Sequence, residues 1–128
     1  MKLKGRIIFK GNVKGKALVT SQPISFFGGI DVDTGIVVEK GHELEGKSIK
    51  GKILVFPSGK GSTVGSYTLY RMKKKDTAPV GIINRECETI TAVGAVISSI
   101  PCVDKIDVSK IKNNDVVEII EGMVKINE

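Results

Sequence analysis

Twice between residues 51 and 100 the chain runs a short apolar segment into a polar turn and then into a stretch of helical periodicity. The first unit is Ile53-Leu54-Val55-Phe56, set between Gly51 and Pro57 and followed by Ser58-Gly59-Lys60-Gly61-Ser62-Thr63. So short a run of β-branched and aromatic residues, closed by glycine and proline, reads as a buried strand. Ser62 or Thr63 then caps a helix that extends to about Lys75, with Gly65, Leu69 and Met72 on its core-facing stripe. Arg71, Lys73, Lys74 and Lys75 complement the negative end of its dipole. The second unit repeats the order: the strand Pro79-Val80-Gly81-Ile82-Ile83, the turn Asn84-Arg85-Glu86-Cys87-Glu88-Thr89, and a helix. Its spacing predicts Ile90, Val93, Ile97 and Ile100 on the buried face. Two such βα units bring two polar strand ends together, where ligands collect in open sheets that carry helices.

The remainder reads mostly as β structure. Arg6-Ile7-Ile8-Phe9 and Lys16-Ala17-Leu18-Val19 flank the turn signal Gly11-Asn12, which predicts an N-terminal hairpin. Gly35-Ile36-Val37-Val38 is a further short strand. Asp115–Ile120 and Met123–Ile126, separated by Glu121-Gly122, predict a C-terminal hairpin. Between Ser21 and Asp33 the chain is apolar but interrupted by Pro23 and Gly28-Gly29, an irregular loop whose Phe26 and Phe27 pack on the core or anchor a partner. His42, among Glu43 and Glu45, is expected at the surface. The expected fold is an α/β domain over residues 1–128, mostly β with two βα units and terminal hairpins.

Composition removes several classes of function. The chain has 128 residues, enough for a real core in one domain. Neither a membrane-spanning run nor a signal-peptide core is visible, so the expected location is the cytoplasm. The net charge of +6 comes mainly from lysine, without the arginine and interleaved aromatics of a nucleic-acid groove. Two cysteines, Cys87 and Cys102, and one histidine are too few for a self-contained zinc or iron–sulfur site. Both cysteines read as small reduced hydrophobes, and a disulfide between them stays open.

The glycine-rich turn is where chemistry concentrates. Gly59, Gly61 and Gly65 let the backbone turn tightly and approach a ligand, while free N–H groups at the helix start favour an anion and Lys60 adds a charge. A nucleotide-binding Walker A loop fails here, because Gly61 follows the lysine directly and the earlier glycine position is Leu54. A Ser-His-Asp hydrolase fails too, since His42 is the sole histidine base and no Gly-x-Ser-x-Gly elbow is present. What remains is a serine at a helix N-terminus among N–H groups and cations, a setting that favours the alkoxide and suits Ser62 as a proton acceptor. An ordinary strand-to-helix turn capped by serine is the alternative reading.

The same residues carry a resemblance. Gly59-Lys60-Gly61-Ser62-Thr63 is similar to the Gly-x-Gly-Ser-Ser-Arg stretch of the aconitase swivel domain. The small subunit of the aconitase X family is closer still: the chain resembles it at Phe26-Phe27-Gly28-Gly29-Ile30-Asp31, Gly35-Ile36-Val37, Pro57 through Tyr67, and Asn84-Arg85-Glu86. The resemblance implies a swivelling β/β/α domain that works beside a larger subunit as a heterodimer, with a 4Fe-4S iron–sulfur cluster held by that subunit and none by this chain. It implies a hydro-lyase acting on (R)-5-phosphomevalonate in a modified mevalonate pathway, giving trans-anhydromevalonate 5-phosphate. Ser62 would take the proton beside the carboxylate while the cluster iron draws on the leaving hydroxyl. Lys60, Gly61, Thr63 and Arg85 would bind the substrate. One departure stands out: aconitase has an arginine two positions after its serine, where this chain has Val64. Dehydration of a hydroxyproline, and a non-catalytic anion-binding swivel module, are the competing readings.

Overall fold

The computed structural model describes residues 1–127. Eight strands and two helices follow in the order β1 (Lys2–Lys4), β2 (Arg6–Phe9), β3 (Asn12–Val19), β4 (Ile53–Phe56), α1 (Val64–Lys74), β5 (Gly81–Asn84), α2 (Thr89–Ser98), β6 (Cys102–Asp104), β7 (Val116–Ile120) and β8 (Met123–Asn127). The strands are ordered β1-β8-β7-β3-β4-β5-β6-β2. β3 through β6 run parallel, the arrangement that successive βα units produce. β3 is the junction: Asn12–Lys16 pair antiparallel with β7, and Ala17–Val19 pair parallel with β4.

Alternation along the central strands feeds two cores. Leu18, Leu54, Phe56, Ile82 and Cys102 face one, under α1, α2 and the segment that supplies Ile24, Phe26, Ile30, Val37, Leu44 and Ile49. Ala17, Ile53, Val55, Ile83 and Val103 face the other, against Val117 and Ile119 of β7 and Val124 and Ile126 of β8. Every residue of β4 and β5 is therefore buried, which is why Ile53–Phe56 and Ile82-Ile83 are continuously apolar instead of alternating, with Asn84 closing β5. The result is the β/β/α layering expected from the resemblance.

The C-terminal hairpin forms as the turn signal predicts, with Glu121 and Gly122 both at positive φ (46° and 83°). The N-terminal hairpin does not form. β2 pairs with β6 at the far edge of the sheet, Arg6 opposite Asp104 and Ile7 opposite Val103. Arg6 closes a bidentate ion pair on the buried Asp104 carboxylate (2.9 and 2.8 Å), and Ile8 and Phe9 pack on the helix-covered core. A hairpin with β3 would forfeit both. Gly35–Val38 makes only isolated bridges, Ile30 to Val37 and Ile36 to Ser48.

The buried face of α2 is also not the one that the periodicity of its large residues predicts. Val93, Val96 and Ile97 are exposed, Ile90 is half-buried, and Thr91, Gly94, Ala95 and Ser98 are buried. Close packing on α1 demands small residues: a Cβ on Gly94 would stand 3.0 Å from Leu69 Cδ2 and 3.3 Å from Ser66 Cα. Ser66 Oγ then reaches the Ile90 carbonyl across the interface at 2.7 Å. Only Ile100 of the predicted stripe is fully buried.

Candidate functional site

The glycine-rich turn leaves β4 at its carboxyl end and is tied down on both sides. Asn84 Nδ2 donates to the Phe56 carbonyl at 3.0 Å, and the Pro57 carbonyl accepts from the N–H groups of Arg85 and Glu86, both at 3.1 Å. These bonds lock the ends of the two βα units together. The turn then runs beside Ile24, whose N–H donates to the Ser58 carbonyl (3.3 Å) and whose carbonyl accepts from Lys60 N–H (2.9 Å). Gly59 lies against the start of α2, where any Cβ would overlap the Glu88 carboxylate and the Thr91 hydroxyl. Glu88 is itself the cap of α2, accepting from Ile90 N–H at 2.7 Å and Thr91 N–H at 2.9 Å. At Gly61 the backbone takes φ +98°, and a Cβ would stand 2.7 Å from Ser25 Oγ. The left-handed backbone is what favours glycine there.

Ser62 follows, exposed, as α1 opens. Of the two candidate caps it is the one used: its Oγ accepts from Val64 N–H at 3.2 Å, whereas Thr63 makes no side-chain cap bond and already has helical dihedrals. Among the described residues, no acceptor takes the N–H groups of Gly61, Ser62 or Thr63. Three successive free donors at a helix N-terminus, with a hydroxyl among them, are the kind of setting in which backbone N–H groups can meet an anion. Exposed Phe27, Val64 and Tyr67 surround the turn with apolar surface.

The two cations expected here are placed differently. Lys60 is on the turn, but its ammonium is paired with Glu39 at 2.8 Å, and both groups are partly exposed. Arg85 lines a separate cleft of about 220 Å³ with Thr20, Ser21, Pro57 and Ser109, and this cleft takes in none of residues 58–63. Lys60, Gly61, Ser62 and Thr63 lie together on the turn, while Arg85 meets its start through the backbone bond to Pro57 and lines the neighbouring cleft. Two neighbours escape a reading of the sequence: Ser25, in contact distance of Gly61, and Glu39, the partner of Lys60. Ser25 stands immediately before Phe26-Phe27, whereas nothing in the local sequence marks Glu39.

Of the adjacent Phe26 and Phe27, only Phe26 packs on the core. Phe26 is buried edge-on against Phe56, ring centroids 6.0 Å apart, and Phe27 is 52% exposed. His42 is buried, correcting its expected place at the surface: its Nε2 meets the Pro23 carbonyl at 3.0 Å and its Nδ1 accepts from Leu44 N–H at 3.0 Å. With both ring nitrogens engaged, it braces the 20–45 segment and has no nitrogen left for a base. Nearby, the hydroxyl of Thr20 and the N–H of Ser21 hold the Glu43 carboxyl below its ordinary range.

The aconitase X swivel-domain family model matches residues 2–126. The chain belongs to that family. Among curated aconitase X relatives, the phosphomevalonate dehydratase small subunit of Thermococcus onnurineus is 52% identical over 130 residues, covering 100% of both chains. That of Methanosarcina acetivorans is 57% identical over 122 residues, covering 93% of this chain and 85% of its own length. The crystal structure of Thermococcus kodakaraensis aconitase X in its holo-form superposes with a TM-score of 0.98 at 52% identity, over 100% of this chain and 99% of that one. A UPF0107 protein solved by solution NMR gives 0.90 at 48% identity, with complete coverage of both.

Aconitase X membership implies iron–sulfur chemistry, and the residues of this swivel domain do not fit a cluster. Its two thiols are one buried and one half-buried, and no three His, Cys, Asp or Glu side chains gather for a metal among the described residues. No helix of the described residues is long and apolar enough to cross a membrane.

Proposed function

We propose that this chain is the small subunit of a hydro-lyase that dehydrates (R)-5-phosphomevalonate to trans-anhydromevalonate 5-phosphate in a modified mevalonate route to isoprenoids. The observation that carries the proposal is end-to-end identity of 52% with a relative named for that activity. The exposed Ser62 at the head of α1, beside three unpartnered N–H groups, supports the chemistry. Residues 1–128 act as one swivelling domain in the cytoplasm, docked beside a large subunit that holds the 4Fe-4S cluster.

In this reading Ser62 Oγ accepts the proton from the carbon next to the substrate carboxylate while hydroxide departs from the neighbouring carbon, and the proton held on Ser62 then joins that hydroxide as the released water, restoring the alkoxide. The positive end of α1 and the N–H groups of Gly61, Ser62 and Thr63 lower the cost of the serine alkoxide and of charge that builds on the carboxylate. Lys60 joins them by exchanging its exposed bond to Glu39 for the substrate anion, a surface pair worth about 0–1 kcal/mol and readily given up. Arg85, in its own cleft, is suited to a second anionic group, and the 5-phosphate is the group that remains. Phe27, Val64 and Tyr67 form the apolar rim that the large subunit covers, which keeps water from the alkoxide.

Anaerobic turnover of (R)-5-phosphomevalonate by the cluster-reconstituted large subunit, with and without this chain, is the test. Activity that requires the chain and disappears with unphosphorylated mevalonate is the expected result. Turnover of hydroxyproline in its place would overturn the substrate, and full activity without the chain would overturn its catalytic role.

A further inference from the structure

Cys87 and Cys102 are brought together with their sulfurs 4.0 Å apart. Cys102 lies on β6, fully buried in the helix-covered core. Cys87 is half-buried in the turn between β5 and α2, and lines a groove of about 580 Å³ that Ile7 and Ile8 of β2 and Val93, Val96 and Ile97 of α2 border. A thiol that solvent reaches, backed by one that it does not, provides an attacking and a resolving sulfur. Apart from its partner thiol, the polar contact of Cys87 Sγ is the Glu88 carbonyl at 3.7 Å.

We propose that Cys87 and Cys102 form a site of reversible oxidation, closed to an intramolecular disulfide by a low-molecular-weight disulfide such as oxidised glutathione. The Cys87 sulfur, as thiolate, attacks one sulfur of the oxidant, and the first thiolate leaves and takes up the Cys87 proton. Cys102 then attacks the Cys87 sulfur of the mixed disulfide, expelling the second thiolate, which takes the Cys102 proton. Two protein thiols have lost two protons and two electrons, and the oxidant has become two thiols. The order follows from the surroundings: the hydrogen bond to Cys87 and burial push the Cys102 thiol well up, so it does not begin the exchange. Once Cys87 is bonded to the oxidant, its sulfur is an electrophile held beside Cys102, and that proximity lets the buried thiol resolve.

Closure shortens the sulfur separation from 4.0 Å to about 2.05 Å. Cys102 is held on both sides by β5 and β2, so Cys87 supplies most of the movement. Its N–H is bonded to Asp104 Oδ2 at 2.8 Å, and the residue that follows is Glu88, the α2 cap on which Gly59 rests. Oxidation therefore draws on the glycine-rich turn from behind.

The test oxidises the full-length chain with excess oxidised glutathione and reads intact mass and alkylatable thiols. Expected is a chain lighter by two hydrogens, free of adduct, with no alkylatable thiol, and restored by dithiothreitol. Cys102→Ala should instead retain one glutathione on Cys87, and Cys87→Ser should take none. The wild-type result decides alone if a variant folds poorly: a lasting adduct, a disulfide between copies, or two free thiols in excess oxidant would overturn the proposal. In the oxidised chain the amide resonances of Gly59, Lys60 and Gly61 should shift while those of Val117 and Val124 stay. A disulfide without those shifts would refute the link to the turn.

Discussion

Replacing Ser62 by alanine separates catalysis from stability, because the two contributions of its hydroxyl differ in size. Structurally, Oγ makes one 3.2 Å bond to Val64 N–H at an exposed helix start. Loss of such a cap costs about 0.5–1 kcal/mol. Unfolding entropy of about 2.1 cal/mol/K per residue amounts to about 0.27 kcal/mol/K over this chain, so the melting temperature should fall by about 2–4 °C. Catalytically, removing a positioned proton acceptor slows turnover by about 10²–10⁴, which is about 3–5 kcal/mol of barrier. The assay pairs a melting curve of the isolated chain with turnover by the assembled enzyme at saturating small subunit. A fall of a few degrees with a thousand-fold loss of kcat is the expected result. Near-normal kcat would refute the role of Ser62, and a loss reversed by raising the concentration of the mutant chain would mean that the hydroxyl serves assembly instead.

Other perturbations follow from the same geometry. Gly61→Ala forces a Cβ into a left-handed backbone and to 2.7 Å from Ser25 Oγ, and at about 1–2 kcal/mol of strain should lower kcat/KM roughly tenfold with little change in far-UV circular dichroism. Gly94→Val should destabilise the isolated chain by about 2–3 kcal/mol through overpacking against Leu69, whereas Ile97→Ser, on the exposed face, should move it by less than about 0.5 kcal/mol in urea unfolding. Phe27→Ser should weaken assembly with the large subunit in titration calorimetry while leaving the isolated chain's melting temperature unchanged. Burial works against ionisation of Asp104, yet Arg6 and the Cys87 N–H hold its carboxyl below the ordinary range. Its stabilising effect is present at neutral pH and is lost as pH falls below about 4 and through the lowered value, so Asp104→Asn should reduce stability at pH 7 and flatten the acid limb of a melting-temperature profile.

What the sequence disclosed, and what it withheld, follows the range over which each feature is determined. β4, the turn, α1 and the Glu121-Gly122 hairpin are fixed by neighbouring residues, and local signals found them. β2 depends on Asp104, nearly a hundred residues away, and a plausible turn at Gly11-Asn12 concealed that distant demand. On α2 the large residues make the obvious stripe, but the close approach of α1 selects Gly94 and Ala95 and turns Val93 and Ile97 outward. His42 looked superficial because of its glutamates, and only the fold supplies the Pro23 carbonyl and Leu44 N–H that enclose it. At the site, the loop residues were legible as a group. The engagement of Lys60 by Glu39 and the cleft that Arg85 lines were not, since contacts made across loops leave no periodic trace.

The alternating strands have a consequence for how such a chain diverges over time. Ile53, Val55 and Ile83 belong to a different core from Leu54, Phe56 and Ile82, and the glycine-rich turn, α1 and α2 rest on the second set alone. Substitutions among Val117, Ile119, Val124 and Ile126 can therefore tune tolerance to heat without passing through the layer that carries Ser62. Heat tolerance and chemistry thus draw on opposite sides of one sheet.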